Sequence, residues 1–188
     1  MSSYLLAGLG NPGPKYELTR HNIGFLVIDR FVDRLGIALT QQKFHGRYAS
    51  GICRGEKVHL LQPQTFMNLS GKSVAAARSF FDIEMPNVIV VHDELDLPFG
   101  VVRIKIGGGH GGHNGLRDII AQTGQNDFIR VRMGIGRPEK GSVTDWVLSP
   151  FPAADTDELL IELDTACDAL EAILADGASA AQNQFNGR

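Results

Sequence analysis

The sequence predicts an α/β protein, a single domain over residues 1–188 built on one central, mixed and twisted sheet flanked by helices. Leu5–Leu9 and Val88–Val91 are continuous apolar runs, the pattern of strands buried in the middle of a sheet. Between and after them, apolar residues recur at helical spacing. A chain of 188 residues is also long enough to bury about 70% of its unfolded surface in one core.

The first run, Tyr4–Leu9, feeds a stiff turn, Gly10-Asn11-Pro12-Gly13-Pro14. Gly8-x-Gly10-x-x-Gly13 after a strand matches the dinucleotide fingerprint, with Asp29 as its ribose acid, but the third glycine should open a helix and here stands between two prolines. The turn instead presents Asn11 at a strand's carboxyl end, where open α/β sheets bind ligands. Thr19-Arg20-His21-Asn22 then enters a helix patterned by Ile23, Phe25, Leu26, Ile28, Phe31, Val32 and Leu35 and closed by Gly36.

Phe44–Cys53 and Lys57–Leu61 are predicted strands around a turn at Arg54-Gly55-Glu56. Pro63–Gly71 joins an exposed Phe66 and Met67 to Asn68, and Ser70 is the expected cap of a helix running to Phe81 with Val74, Ala77, Phe80 and Phe81 inward. The second apolar run ends on His92-Asp93-Glu94-Leu95-Asp96, and charges at the end of a buried strand point to a site. Val101–Ile106 places Arg103 and Lys105 on one strand face, and Phe128–Ile135 does the same for Arg130 and Arg132. Between these strands lies Gly107–Gly115, a glycine-rich segment with free amides suited to an anion, ending in Asn114 as the expected N-cap of the next helix. Thr144–Leu148 is expected as a short edge strand. From about Ala154, a long amphipathic helix runs through Leu159, Leu163, Leu170 and Leu174, followed by a weakly patterned tail from Asp176.

Composition narrows the classes. Cys53 and Cys167 are too few for a disulfide framework and read as packing residues in a reducing compartment. No signal peptide is evident and no run approaches the ~20 apolar residues of a membrane span. Net charge is −3, yet residues 1–150 hold 17 basic against 13 acidic residues, while residues 151–188 hold Arg188 against eight acids. A basic body suits a polyanionic partner, and the acidic end reads as a solvated helix.

His21, Asp93 and the amides of Asn11, Asn68 and Asn114 come from separate segments that all end strands or begin helices. A histidine can take a proton from water, a carboxylate can fix its tautomer, and carboxamides can orient a carbonyl and stabilise its oxyanion. No seryl nucleophile is evident, which leaves attack by water as the simpler mechanism. His92, Asp93, His110 and His113 offer a competing metal set, but no His-Glu-x-x-His helix or cysteine pair supports it, and no metal is expected.

The segments Gly8–Gly13, Thr19–Asn22, Thr65–Gly71, His92–Asp96 and Gly111–Gly115, in that order, resemble the bacterial peptidyl-tRNA hydrolase family, and the resemblance spans nearly the whole chain, weakening from Ala153. It implies a monomeric cytoplasmic enzyme that hydrolyses the ester between a peptide and the 3′ ribose of tRNA, without a nucleotide or other cofactor and without a membrane. It also implies His21 as general base, Asp93 as its partner, Asn11 as reader of the acylated amino group, and Tyr16, Phe66, Asn68 and Asn114 as lining of the substrate's 3′ end. Met67 and His113 match neighbouring family positions. Arg103, Lys105 and Arg132 fit phosphate contacts, with Lys105 the firmest by resemblance. Where the family often has Ser and Ala, this chain has Gly109 and His110, and the role of His110 stays open. A non-catalytic RNA-binding relative on the same scaffold is the alternative.

Overall fold

The structure, a computed structural model, describes residues 1–187. Seven strands form one sheet: β1 (Ser3–Gly8), β2 (Gln41–Lys43), β3 (Gly46–Cys53), β4 (Glu56–Pro63), β5 (Val88–Glu94), β6 (Val102–Ile106) and β7 (Ile129–Gly134). Their order is β2-β3-β4-β1-β5-β7-β6, with β4, β1, β5 and β7 mutually parallel and the two margins antiparallel. The two apolar runs are thus the central pair β1 and β5, as their composition requires. Strand alternation divides the core. Ile89 and Val91 face a layer made by α1 (Ile23–Leu35) and a later helix, α5 (Thr156–Asp176), whereas Val88 and Val90 face α2 (Ser70–Phe80) and α3 (Asn114–Thr123).

Several sequence expectations are corrected. Thr144–Leu148 is not an edge strand but overlaps a short helix, α4 (Val143–Val147), because Ser142 caps it by accepting the Asp145 N–H. The tail beyond Asp176 is ordered as α6 (Ala178–Asn186), which buries Ala181 and Phe185. Phe44 and His45 are not strand: both have positive φ, 58° and 56°, and make the tight turn between β3 and the unforeseen β2. Phe80 points outward, 70% exposed, while Met67 is buried. Ser70 does not cap α2; its hydroxyl donates back to the Met67 carbonyl at 2.7 Å and closes the preceding turn.

The acidic C-terminal part is only partly a solvated face. Asp164, Asp168 and Glu171 on α5 pair with Arg30 and Arg34 on α1, and Glu162 is fully buried beneath the Gly100 amide, where burial pushes its carboxyl up to about 8. Arg188, the one base of that part, lies outside the described residues. At the sheet margin, Asn186 of α6 lies along β6, its Oδ1 accepting the Ile104 N–H at 2.9 Å and its Nδ2 donating to the Ile104 carbonyl at 2.8 Å. Cys53 and Cys167 are buried and unpaired with each other. Among the described residues, no helix is long and apolar enough to cross a membrane.

Candidate active site

The site lies at the carboxyl ends of β1 and β5, where α1 and α3 begin. Gly24 brings α1 there: a Cβ on it would lie 2.5 Å from both the Leu9 amide nitrogen and the Val91 carbonyl oxygen, so only glycine permits the approach. The turn of 3-10 helix just before it, Arg20–Asn22, carries His21 to the end of β5. There, alternation sends Asp93 towards the α1 face with Ile89 and Val91, and sends His92 and Glu94 to the other.

Asp93 is the centre of the arrangement. Its Oδ2 accepts His21 Nδ1–H at 2.8 Å and its Oδ1 accepts His113 Nε2–H at 2.8 Å, with the carboxylate almost wholly buried. Burial opposes its charge, but the two imidazoles hold its carboxyl far below the usual carboxylate range. For His21, burial pulls the pKa down, and the Asp93 charge and hydrogen bond more than offset this, leaving it above 6.5.

The tautomers follow from the hydrogen bonds. His113, not Asn114, is the N-cap of α3: its Nδ1 accepts the N–H groups of Gly115 at 3.1 Å and Leu116 at 3.3 Å. A ring nitrogen that accepts carries no proton, so the His113 proton sits on Nε2 and points at Asp93. His21 in turn spends its Nδ1 proton on Asp93, which leaves Nε2 as its nitrogen with a lone pair. That cavity, about 280 Å³, is lined by His21, Asp93, His113 and Asn114 together with Val143 and Val147.

Asn11 is held by every polar atom but one. Asn22, 1% exposed, clasps its backbone, with Oδ1 accepting the Asn11 N–H and Nδ2 donating to the Asn11 carbonyl, both at 2.9 Å. Asn11 Oδ1 accepts the Met67 N–H at 2.7 Å. Only the Asn11 Nδ2 donor is left for a ligand. The 3-10 turn Met67–Leu69 packs on α3, with buried Met67 against Gly115 at its start, while Asn68 and Phe66 are exposed and lie outside the lining of the His21 cavity. Tyr16 is half-buried in the preceding turn, with Lys15 Nζ 4.9 Å from its ring.

Sequence reasoning missed Asn22 and Arg20, although both stand in the motif that carries His21. Arg20 stacks 3.5 Å over the Trp146 ring and donates to the Trp146 and Ser149 carbonyls, tying the segment around α4 to the His21 turn. A buried arginine flanked by a distant tryptophan leaves no local signal.

The basic strands sort themselves by partner. In the β6–β7 register Arg103 faces Arg132 and Lys105 faces Arg130, so four cations share the face of the sheet opposite Asp93. Arg130 is buried and spent on the glycine loop: it donates to the Gly108, Gly109 and Asn126 carbonyls and lies 4.2 Å over Phe128. That loop takes positive φ at Gly107, Gly108, Gly111 and Gly112, and at Gly108 a Cβ would also meet Lys105 Cε at 2.7 Å. Arg132 pairs with Glu94 at 3.1 Å. Lys105, Arg130 and Arg132 line a second, smaller cavity of about 120 Å³ with buried His92, and Arg103 lies outside it. His92 donates its Nδ1 proton to the Asp93 carbonyl, and burial and neighbouring His113 push its pKa down to about 3.

Comparison with known proteins adds the chemistry. Residues 5–188 match the family model described as peptidyl-tRNA hydrolase. The chain is 50% identical to a peptidyl-tRNA hydrolase of Citrifermentans bemidjiense, with full coverage of both, and 47% identical to that of Geobacter sulfurreducens, covering 100% of this chain and 97% of the other. The crystal structure of peptidyl-tRNA hydrolase from Acinetobacter baumannii superposes with a TM-score of 0.90 at 42% identity, over 97% of this chain and 94% of that one.

Proposed function

The chain belongs to the peptidyl-tRNA hydrolase family, and on that premise we propose that it hydrolyses the ester of peptidyl-tRNA with His21 as the general base and water as the nucleophile. The observation that carries this reading is Asp93 held between two imidazoles, with His21 Nδ1–H committed to it and His21 lining the cavity. A neutral imidazole in that tautomer takes a proton from water as the water attacks the ester carbonyl. Asp93 then stabilises the imidazolium. Asn11 Nδ2 and the carboxamides of Asn68 and Asn114 are the donors for the peptide carbonyl and the developing oxyanion. Every group required comes from one chain, which supports action as a monomer, and the reading places the enzyme in the cytoplasm, where its substrate arises.

His21, Asp93 and His113 bring ligand atoms within 4.8 Å of one another, a spacing a metal ion could use. The tautomers favour a proton network instead. With His113 Nδ1 already accepting two amides, a metal on Nε2 would have to displace the ring's one proton and leave an imidazolate. The proposed chemistry is therefore read as running without a metal, and none of its steps calls for a nucleotide cofactor.

The test is turnover of an N-acetylaminoacyl-tRNA across pH. Because the raised pKa of His21 lies on the free enzyme, the acid limb of log kcat/KM should inflect above pH 6.5, with activity rising as the base deprotonates. An inflection below 6.5 contradicts the Asp93-stabilised base, and binding without turnover makes the protein an RNA-binding relative.

Lys105 and Arg132, with Arg103 near them, are proposed as phosphate contacts. Removing Lys105 or Arg132 should flatten the slope of log K for tRNA against log salt by about 0.7–0.9 each. Arg130, whose guanidinium holds loop carbonyls, should behave differently: Arg130→Ala lowers thermal stability and leaves the slope nearly intact. Equal slopes for wild type and Lys105→Ala would remove the lysine from the polyanion surface.

A further inference from the structure

The cavity that holds His21 and the one that holds Lys105 and Arg132 share a wall made by Glu94, His110 and Gly111. Glu94 is anionic and committed, with one oxygen accepting Arg132 Nε at 3.1 Å and the other the Asp96 N–H at 3.2 Å. Gly111 has no side chain. His110 is thus the one side chain in that wall able to donate a hydrogen bond. Its Nδ1 accepts the Gly112 N–H at 2.9 Å, which makes the ring neutral and puts its proton on Nε2. The residue is also braced at both ends. Its carbonyl accepts the His113 N–H at 3.0 Å, and Arg130 holds the Gly109 carbonyl just before it.

We propose that His110 Nε2–H is a neutral donor to a phosphodiester of the tRNA acceptor strand at the point where the strand crosses from the Lys105–Arg132 cavity to His21. This rests on the reading of the site as a peptidyl-tRNA site. An anionic strand passing that wall meets the Glu94 carboxylate, and a fixed imidazole N–H beside it offers the phosphate the one side-chain donor of the wall. Lys105 and Arg132 attract the strand through charge; His110 sets its register through direction. A hydrogen bond to a charged group contributes more than one between neutral groups, so its loss reads as roughly a tenfold effect.

Two substrates separate this role from a structural one: N-acetylaminoacyl-tRNA, and the N-acetylaminoacyl ester of adenosine alone, which has no phosphate. His110→Ala should raise KM for the tRNA ester about tenfold with kcat little changed, and the effect should shrink to less than about twofold on the adenosine ester. His110→Gln, which restores a neutral N–H, should recover part of the loss. The log K against log salt slope should stay at the wild-type value, because no cation is removed. Equal losses on both substrates would assign His110 to the catalytic dyad or the loop fold and overturn the proposal. So would an unchanged KM for the tRNA ester, or a slope reduced by about 0.7–0.9, which marks a cationic contact. If wild type itself fails to turn over the tRNA ester, the reading of the whole site fails, and that result is distinct from any of these.

Discussion

His21→Ala is expected to abolish nearly all turnover in a folded protein, and Asp93→Asn to lose on the order of 10²–10⁴-fold, the scale of general-base catalysis. The loss in Asp93→Asn has a specific origin in the hydrogen bonds. Both imidazoles present N–H to the carboxylate, and His113 cannot reverse because its Nδ1 accepts two helix amides. An asparagine at 93 has one acceptor to give. Once His113 takes it, the Asn NH₂ faces His21 Nδ1 and forces the His21 proton onto Nε2, the atom proposed as the base. The residue remains in place with the wrong nitrogen protonated. Three measurements follow. Combining the two substitutions should cost no more than His21→Ala alone, since both remove the same step. Adding His113→Ala to Asp93→Asn frees the carboxamide to turn its oxygen to His21 and should return part of the activity. Near wild-type kcat/KM in folded His21→Ala would end the mechanism.

The second large effect concerns selectivity. An ordinary aminoacyl-tRNA carries the same ester as a peptidyl-tRNA, and the difference is an amide carbonyl next to it in place of a free amino group. Asn11 is the residue proposed to sense that carbonyl. Its Oδ1 is spent on the Met67 N–H and its backbone on Asn22, which leaves Nδ2–H₂ as a donor of fixed direction. A free ammonium offers only donors and leaves Nδ2 unpaired, a penalty of about 1–3 kcal/mol for a desolvated group. Sites of this kind reject an analogue lacking the partner far better than apolar pockets do. Asn11→Ala should therefore reduce the preference for N-blocked over free aminoacyl-tRNA by roughly 5- to 150-fold in kcat/KM, the conversion of that penalty. Asn11→Ala also strands the Met67 N–H, so Asn11→Asp is the cleaner companion: it keeps an acceptor for Met67 and exchanges the donor for a second acceptor. If the preference survives in both, the amide is read elsewhere, with Asn68 and Asn114 the next residues to replace.

Much of this is legible in the sequence, and the failures have physical causes. β1 and β5 declare themselves because a strand buried on both faces must be continuously apolar. The five residues Thr144–Leu148 carry too short a pattern to separate strand from helix, and the capping hydroxyl of Ser142 decided for helix. Phe80 sat at inward spacing, but α2 ends there and leaves it beyond the core. Propensity alone points to Asn114 as the cap; His113 takes the position, its ring oriented by Asp93. The motifs also named His21, Asp93 and Asn11 without showing what fixes them. That work falls to Asn22, Arg20 and His113, through contacts that sequence spacing does not encode. Arg130 and Arg132 look equivalent on alternation, and only the glycine loop over one and Glu94 beside the other tell them apart.

The carboxamide of Asn186 against Ile104 bears on how the protein behaves in concentrated solution. β6 is an outer strand of the sheet, and outer strands recruit others of their kind through unspent backbone groups. One side chain from α6 occupies both groups of Ile104 in the way a neighbouring strand would. The opposite margin is protected otherwise, by a β2 of only three residues, all polar and exposed. Loss of the Asn186 carboxamide would therefore uncover the Ile104 groups and turn the β6 margin into a template on which copies of the chain stack, so that the C-terminal helix guards solubility.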